Sequence, residues 1–372
     1  MNKAIDKKFF WIITILLIVG VVTFVSASLP LYTQNKGAFW VELFKHIGLG
    51  AGGGFLFMLL ISKIPYLFWK KYALIIFLTT LGLTLLVFSP LGVGHGGAQR
   101  WVSFKIISFQ PSELLKFGAV IFLSAWFDKY KESVKTFRHG LAAFLGILAP
   151  VIFILFFQPH FGMIALISIA LFVIYFLRGA NLKHILVFAL IVVAGGILYA
   201  STQPYAMQRV TSFFNQEKDP LGSGYQVRQS KIAIGSGELL GRGLGQSIQK
   251  FDNYLPEHSS DFIFAVFAEE LGFVGGVLLI MLYLAFAFFG FRIAKNAPNA
   301  FAQNLTVGII TIIIIQSFFN IAAVSGLFFV SGLPLVFISS GGTVLLTTLG
   351  ALGIVLNISR YKKTNLVKKR II

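Results

Sequence analysis

Ten apolar runs, each long enough to approach the thickness of a bilayer, follow one another along this chain and leave room for one class of architecture. Their approximate bounds are Phe9 to Leu29, His46 to Ile61, Tyr72 to Ser89, Ser112 to Phe127, Gly140 to Phe157, Gly162 to Leu177, Ile185 to Ala200, Phe262 to Gly290, Leu305 to Phe328 and Pro334 to Ile358. Roughly 20 apolar residues span a hydrocarbon core of about 30 Å. Backbone amides and carbonyls find no water there, so such runs must be helical. With 57% hydrophobic and 12% charged residues, a pair of soluble domains is excluded. The expected fold is an all-α polytopic membrane protein of ten transmembrane helices, one membrane domain over residues 1–372.

Lys3, Lys7 and Lys8 before the first run, and Ser26-Ala27-Ser28 after it, resemble a signal peptide. The run is longer than a signal core and other spans follow it, so an uncleaved first helix is expected. An even number of spans puts both termini on one side. Of the 31 Lys and Arg, 20 fall at the N-terminus, in 63–71, 128–139, 178–184 and 291–304, and in the tail 360–370. Positive charge collects on the cytoplasmic side, so both termini are expected there. The large loop 201–261, between helices 7 and 8, then faces outward. Of the 13 acids only Asp6, Asp128 and Glu132 lie on the inner side, which directs attention to outward-facing chemistry. The net charge of +18 follows the span ends, so a membrane and no nucleic acid is the expected partner. The basic tail 359–372 suits anionic lipid. The absence of cysteine excludes disulfides and thiolate chemistry.

Three outer segments depart from the apolar pattern. Gly92 to Pro111 is too polar to span, and its aromatic and branched residues suit a piece lying in the interface. The loop 201–261 is polar and glycine-rich, and long loops of this kind tend to carry function. Gly326 to Gly342 sets glycines, serines and a proline beside apolar residues, a composition tolerated at membrane depth only where it is buried or lines a cavity.

Within these segments Ser112 can cap a helix, while Glu113 and Lys116, three apart, share one helical face. They form either a structural ion pair or a site in which Lys116 holds an anionic headgroup and Glu113 fixes it. Asp261 begins a long helix and is either its cap or a general base at the mouth of a cavity. Glu269 and Glu270 follow, pointing in different directions, and are expected to pack or to hydrogen-bond. Gly235, Gly237, Gly241, Gly243 and Gly245 lack the strand and the Gly-Lys-Ser/Thr of a nucleotide loop. Close backbone approach is their expected use, with Arg228, Lys231 and Arg242 able to meet phosphate. His95, His160 and His258 have no metal-ligand spacing.

The stretches FQPSELLKF (109–117), GSGYQVRQSKIAIGSGELLGRGLG (222–245), LPEHSSDFIFAVFAEELG (255–272), SGLPLVFISSGGT (331–343) and GIVLNISR (353–360) closely resemble the SEDS family of shape, elongation, division and sporulation proteins. The third and fifth look more like its division member than its elongation member. The resemblance implies a peptidoglycan glycosyltransferase that polymerises lipid II into a growing glycan strand during septal cell-wall synthesis. It would work at the outer face of the bacterial cytoplasmic membrane, beside a cognate class B penicillin-binding protein and other division proteins. By position it implies Asp261 as the essential acid, Glu113 and Lys116 as the pair of the PSE-x-x-K motif, and Ser340, Gly341 and Gly342 as the serine-glycine-glycine stretch. Leaving pyrophosphate would be met by Lys116, Arg100 or a divalent cation such as Mg or Mn. The alternatives are an elongation-type polymerase, a lipid II flippase or a division scaffold. Ser340 and Thr343 stand where the family has tyrosine and serine, His160 where it has aspartate, and Ser260 where threonine is common.

Overall fold

The structure is a computed structural model that describes residues 4–95, 98–103, 108–181, 183–188, 190, 195–196, 223–251, 254–330 and 332–361. Most of the seventh expected span, the part 201–222 of the long loop and the tail from residue 362 lie outside the described residues. Among the described residues the helices with defined bounds are α1 (Lys7–Ala27), α2 (Leu29–Gln34), α3 (Lys36–Ile61), α4 (Tyr66–Lys71), α5 (Ala73–Leu85), α6 (Ser112–Lys129), α7 (Phe137–Phe157), α8 (Phe161–Leu177), α9 (Ser223–Ser236), α10 (Ile263–Lys295), α11 (Ala300–Val324) and α12 (Gly342–Ser359). Among the described residues six helical stretches are long and apolar enough to cross a membrane: α1 running on into α2, then α3, α7, α10, α11 and α12. The α5 and α8 stretches are shorter and apolar. α6 carries Glu113, Lys116, Asp128 and Lys129, yet almost all of its first four turns are buried against α5, α8 and α11.

Lipid offers no hydrophobic drive for one helix to seek another, so close packing and buried polar bonds must hold the bundle. Gly308 of α11 shows the first device: a Cβ there would lie 2.5 Å from Val120 Cγ1 and 2.7 Å from Ile174 Cδ1. α1 shows the matching division of faces, with Phe9, Ile13, Leu16 and Gly20 inside and Trp11, Ile15, Ile18 and Val22 exposed. An apolar outer stripe of this kind suits hydrocarbon. α12 is buried along nearly its whole length, from Val344 to Ile358.

Polar ties fix both ends of the α1–α10 pair. At one end Asp6 accepts from Arg292 at 2.8 Å, and its amide donates to Ser359 Oγ at 3.0 Å. Asp128 joins the same end by pairing with Lys70 at 2.5 Å and accepting the Phe301 amide at 3.0 Å. α1 then rises about 30 Å, at 1.5 Å per residue, to Ser26, which donates to Glu270 near the start of α10 at 2.6 Å. The two chain ends described thus meet at one end of the bundle.

The expectation of an all-α fold is corrected here. Gly92 to Pro111, expected as a piece lying in the interface, holds an antiparallel three-stranded sheet, β1 (Gly92–His95), β2 (Ala98–Ser103) and β3 (Ser108–Phe109), so the fold is not wholly α. Val102 is its buried anchor. The described half of the long loop also holds regular structure, α9, which packs against α10 and α11.

α10 is broken inside. Gly272 stands at φ 65°, ψ −168°, a conformation closed to residues with a side chain. The carbonyls of Glu269 and Glu270 accept from the amides of Arg242 and Gly243, both at 3.0 Å. The amides of Phe273 and Val274, their regular helical partners, donate instead to Glu238 and Leu239 carbonyls at 2.9 and 3.1 Å. The glycine-rich loop is therefore spliced into the break and satisfies all four groups. A Cβ on Gly272 would lie 2.3 Å from the Gly241 nitrogen. Gly272→Ala is expected to cost about 1–3 kcal/mol in backbone strain alone, read as a lowered melting temperature of the purified protein.

Candidate functional site

The polar residues gather where α6 begins, α11 ends and the chain enters α10 and α12. Helix α6 is capped by Pro111, so Ser112 lies in its first turn, buried, and is not the cap the sequence suggested. Pro has no amide proton to lose at such a start, which suits it to the position. One turn in, Lys116 Nζ lies 2.5 Å from Glu113 Oε2, with the two side chains 0% and 1% exposed. Lys116 also donates to Gln316 Oε1 at 2.9 Å. The pairing expected from their spacing is formed, and it is wholly enclosed.

Gln316 passes the connection on. Its Nε2 donates to the Pro334 carbonyl at 3.1 Å, in the irregular stretch before α12. That stretch, expected as helix from Pro334, reaches helical form only at Gly342. Gly332 and Gly341 have positive φ, and so does Phe337 at φ 75°, which is rare for a bulky side chain. The surroundings hold Phe337 there: Tyr283 donates to the Val336 carbonyl, and a Cβ on Gly20 would lie 2.0 Å from the Phe337 oxygen. Backbone strain held in place by packing collects at functional sites.

Asp261 stands beside this stretch. The cap of α10 is Phe262, one residue later, so Asp261 precedes the cap position. It is half-buried. Asn320 Nδ2 donates to its carbonyl at 2.7 Å and to that of Leu333 at 2.9 Å. Ser339 Oγ donates to the Ser260 carbonyl at 2.6 Å, and the Ser340 amide to that of Ser259 at 2.8 Å. Burial lowers the imidazole pKa of nearby His258, against an opposing hydrogen bond to the Leu255 carbonyl.

The structure thus joins Glu113, Lys116, Asp261 and Ser340 through Gln316, Asn320 and Ser339, which sequence reasoning had not singled out. Gln316 and Asn320 are one turn apart in a mostly apolar span, and polar groups at that depth are a signal in themselves.

Glu269 and Glu270 are buried, as expected, and anchor the glycine-rich loop. Glu269 accepts from Ser247 Oγ at 2.6 Å and the Ile248 amide at 3.0 Å, and lies 3.5 Å from Arg242 Nε. Glu270 pairs with Lys250 at 2.6 Å, and Lys250 also donates to the Ser26 carbonyl at 3.1 Å. Gly237, Gly241 and Gly272 make the close approach, since Cβ atoms at the first two would lie 2.2 and 2.1 Å from the Ala268 and Glu270 oxygens.

The remaining cations divide. Arg100 donates to the Gln158 carbonyl at 3.2 Å and to the Pro159 carbonyl, tying β2 to the end of α7. Arg242 belongs to the Glu269 cluster. Arg228 and Lys231 are exposed, three apart on α9. α9 is moored where Ser230 Oγ donates to the Val324 carbonyl at 2.6 Å, one turn beyond Asn320. Among the described residues no three His, Cys, Asp or Glu side chains are grouped to hold an ion.

A family model described as "Cell cycle protein", covering the FtsW, RodA and SpoVE proteins, matches residues 7–364. The chain belongs to this FtsW/RodA/SpoVE family. Stage V sporulation protein E of Bacillus subtilis is 37% identical to it over 95% of this chain and 96% of its own length. The probable peptidoglycan glycosyltransferase FtsW of Geobacter sulfurreducens is 37% identical over 92% of each. Among solved structures, a chain from a peptidoglycan synthase complex described as coordinating polymerization and crosslinking superposes with TM-score 0.78. It is 26% identical, covering 96% of this chain and 99% of the other. The rod shape determining protein RodA of Thermus thermophilus matches with TM-score 0.68 and 25% identity, over 96% and 97% of the two chains. The SEDS resemblance is thereby established as family membership, with the RodA-like helical fold it implied.

Proposed function

We infer that this protein is a peptidoglycan glycosyltransferase that polymerises lipid II during septal cell-wall synthesis. The observation that carries the reading is the match, over nine-tenths of both chains, to relatives named as probable peptidoglycan glycosyltransferases. Ten spans with both termini cytoplasmic put Asp261, the α9 cations and the glycine-rich loop at the outer face of the cytoplasmic membrane. The meeting of Asp6 with Ser359 supports an even number of spans.

The chemistry is a displacement at an anomeric carbon. An acceptor sugar hydroxyl attacks, its C–O bond forms, and the bond to the lipid pyrophosphate breaks with inversion. Asp261 takes the hydroxyl proton as general base. Pyrophosphate is already a good leaving group, so its departure needs charge stabilisation rather than a second carboxylic acid. Lys116 is enclosed with Glu113 and Gln316, so the exposed Arg228 and Lys231 are the cations better placed for that task. The match to a synthase complex supports a class B penicillin-binding protein as the partner that cross-links the strands.

The test is polymerisation of purified lipid II by the protein with its cognate transpeptidase, with products resolved by length. Long glycan is expected. Lipid II crossing a vesicle bilayer without any polymer would replace this reading with a flippase.

A further inference from the structure

We propose that Asn320 and Ser339 are positioning residues for the transfer reaction, acting by clamping the backbone that carries Asp261. The inference rests on the polymerase reading for its catalytic part and on geometry alone for the clamp. Three consecutive carbonyls, those of Ser259, Ser260 and Asp261, each accept one hydrogen bond from another part of the chain. The donors are the Ser340 amide at 2.8 Å, Ser339 Oγ at 2.6 Å and Asn320 Nδ2 at 2.7 Å.

Each donor is itself fixed. An amide nitrogen has two hydrogens, and Asn320 spends both, one on Asp261 and one on the Leu333 carbonyl. Ser339 Oγ also accepts the Leu335 amide at 2.8 Å. Gln316, one turn before Asn320 on α11, holds the Pro334 carbonyl between those two points. Residues 333–340 therefore form a bridge, fastened to α11 on one side and to residues 259–261 on the other. Asn320 and Ser339 are 3% and 7% exposed, so neither offers itself to a substrate from solvent. The strand of chain before α10 gains its fixed course from this clamp, and the direction of the Asp261 carboxylate follows from its backbone. A displacement of about 1 Å in a reacting group can cost about 10²-fold in rate.

The experiment uses the full chain with its transpeptidase partner and compares Asn320→Asp, Ser339→Ala and Ser339→Thr with wild type. Asn320→Asp keeps the shape and removes both donors, and Ser339→Thr keeps the hydroxyl. Two readouts are taken: kcat and KM for lipid II, and hydrogen exchange over residues 255–265. We expect Asn320→Asp and Ser339→Ala to lower kcat about 10²-fold with KM little changed. Exchange should accelerate in 255–265 while the middle of α10 stays protected, and Ser339→Thr should return both readouts toward wild type. Wild-type kcat in Asn320→Asp and Ser339→Ala would overturn the proposal, as would a lowered kcat with unaltered exchange at 255–265. Should Asn320→Asp fail to fold, the Ser339 pair decides. A wild type that makes no glycan counts against the polymerase reading, and the exchange data then still decide the clamp.

Discussion

Asp261→Asn is expected to lower lipid II polymerisation by about 10²–10⁴-fold, the range that a positioned general base contributes. The substitution is well suited to separating chemistry from structure. Asn320 holds the main-chain carbonyl at this position, and asparagine keeps that carbonyl. The cap of α10 is Phe262, so helix initiation is also preserved. The variant should therefore fold and retain the proposed transpeptidase partner, while glycan disappears from the gel. Asp261→Asn that still makes long glycan would remove the general-base role and leave the carboxylate an electrostatic or structural one. Loss of both glycan and thermal stability would place Asp261 in the framework instead.

Much of this molecule was legible because lipid imposes so few solutions. Apolar run length located α1, α7, α8 and α10 to within a few residues, since no other conformation satisfies the backbone there. Hydropathy alone starts α3 at His46, ten residues after its true start at Lys36, because Lys36, Glu42 and Lys45 interrupt the apolar pattern of its first turns. α9 escaped notice for a different reason: its inner face is Gly224, Val227, Ser230 and Ala233, a stripe of mostly small residues whose helical period carries little hydrophobic contrast. The sheet at 92–109 has strands of two to six residues and one bulge, too short for alternation to stand out. Pairing of Glu113 with Lys116 could be read from spacing on one helix. The bonds from α11 to Asp261 could not, because Asn320 and Asp261 lie 59 positions apart and come together only when 333–340 takes its irregular course. Such a course depends on Phe337 at positive φ, which no local rule foretells.

Lys116→Met is expected to destabilise the protein by about 3–5 kcal/mol, because it leaves the Glu113 carboxylate enclosed without its counter-charge. Gln316 Oε1 would also lose its donor, adding about 1–3 kcal/mol if nothing replaces it. Glu113→Leu alone should cost a similar amount by stranding the ammonium group. The double variant Glu113→Leu with Lys116→Met removes both charges and fills the space with apolar volume. Buried pairs exchanged in this way are often neutral or even stabilising, so the double variant is expected to recover most of the stability lost by either single change. Activity should not return with it. Lys116 is the donor that orients Gln316, Gln316 holds the Pro334 carbonyl, and the bridge that follows carries the Ser339 and Ser340 bonds to the Asp261 turn. Thermal unfolding of the four proteins measures the first half of the argument, and glycan synthesis measures the second. A double variant with wild-type stability and little glycan would show that the ion pair is retained to aim the site rather than to hold the bundle. A double variant as active as wild type would reduce Glu113 and Lys116 to replaceable packing, and the aim of Asp261 would then rest on α11 and the 333–340 bridge without them.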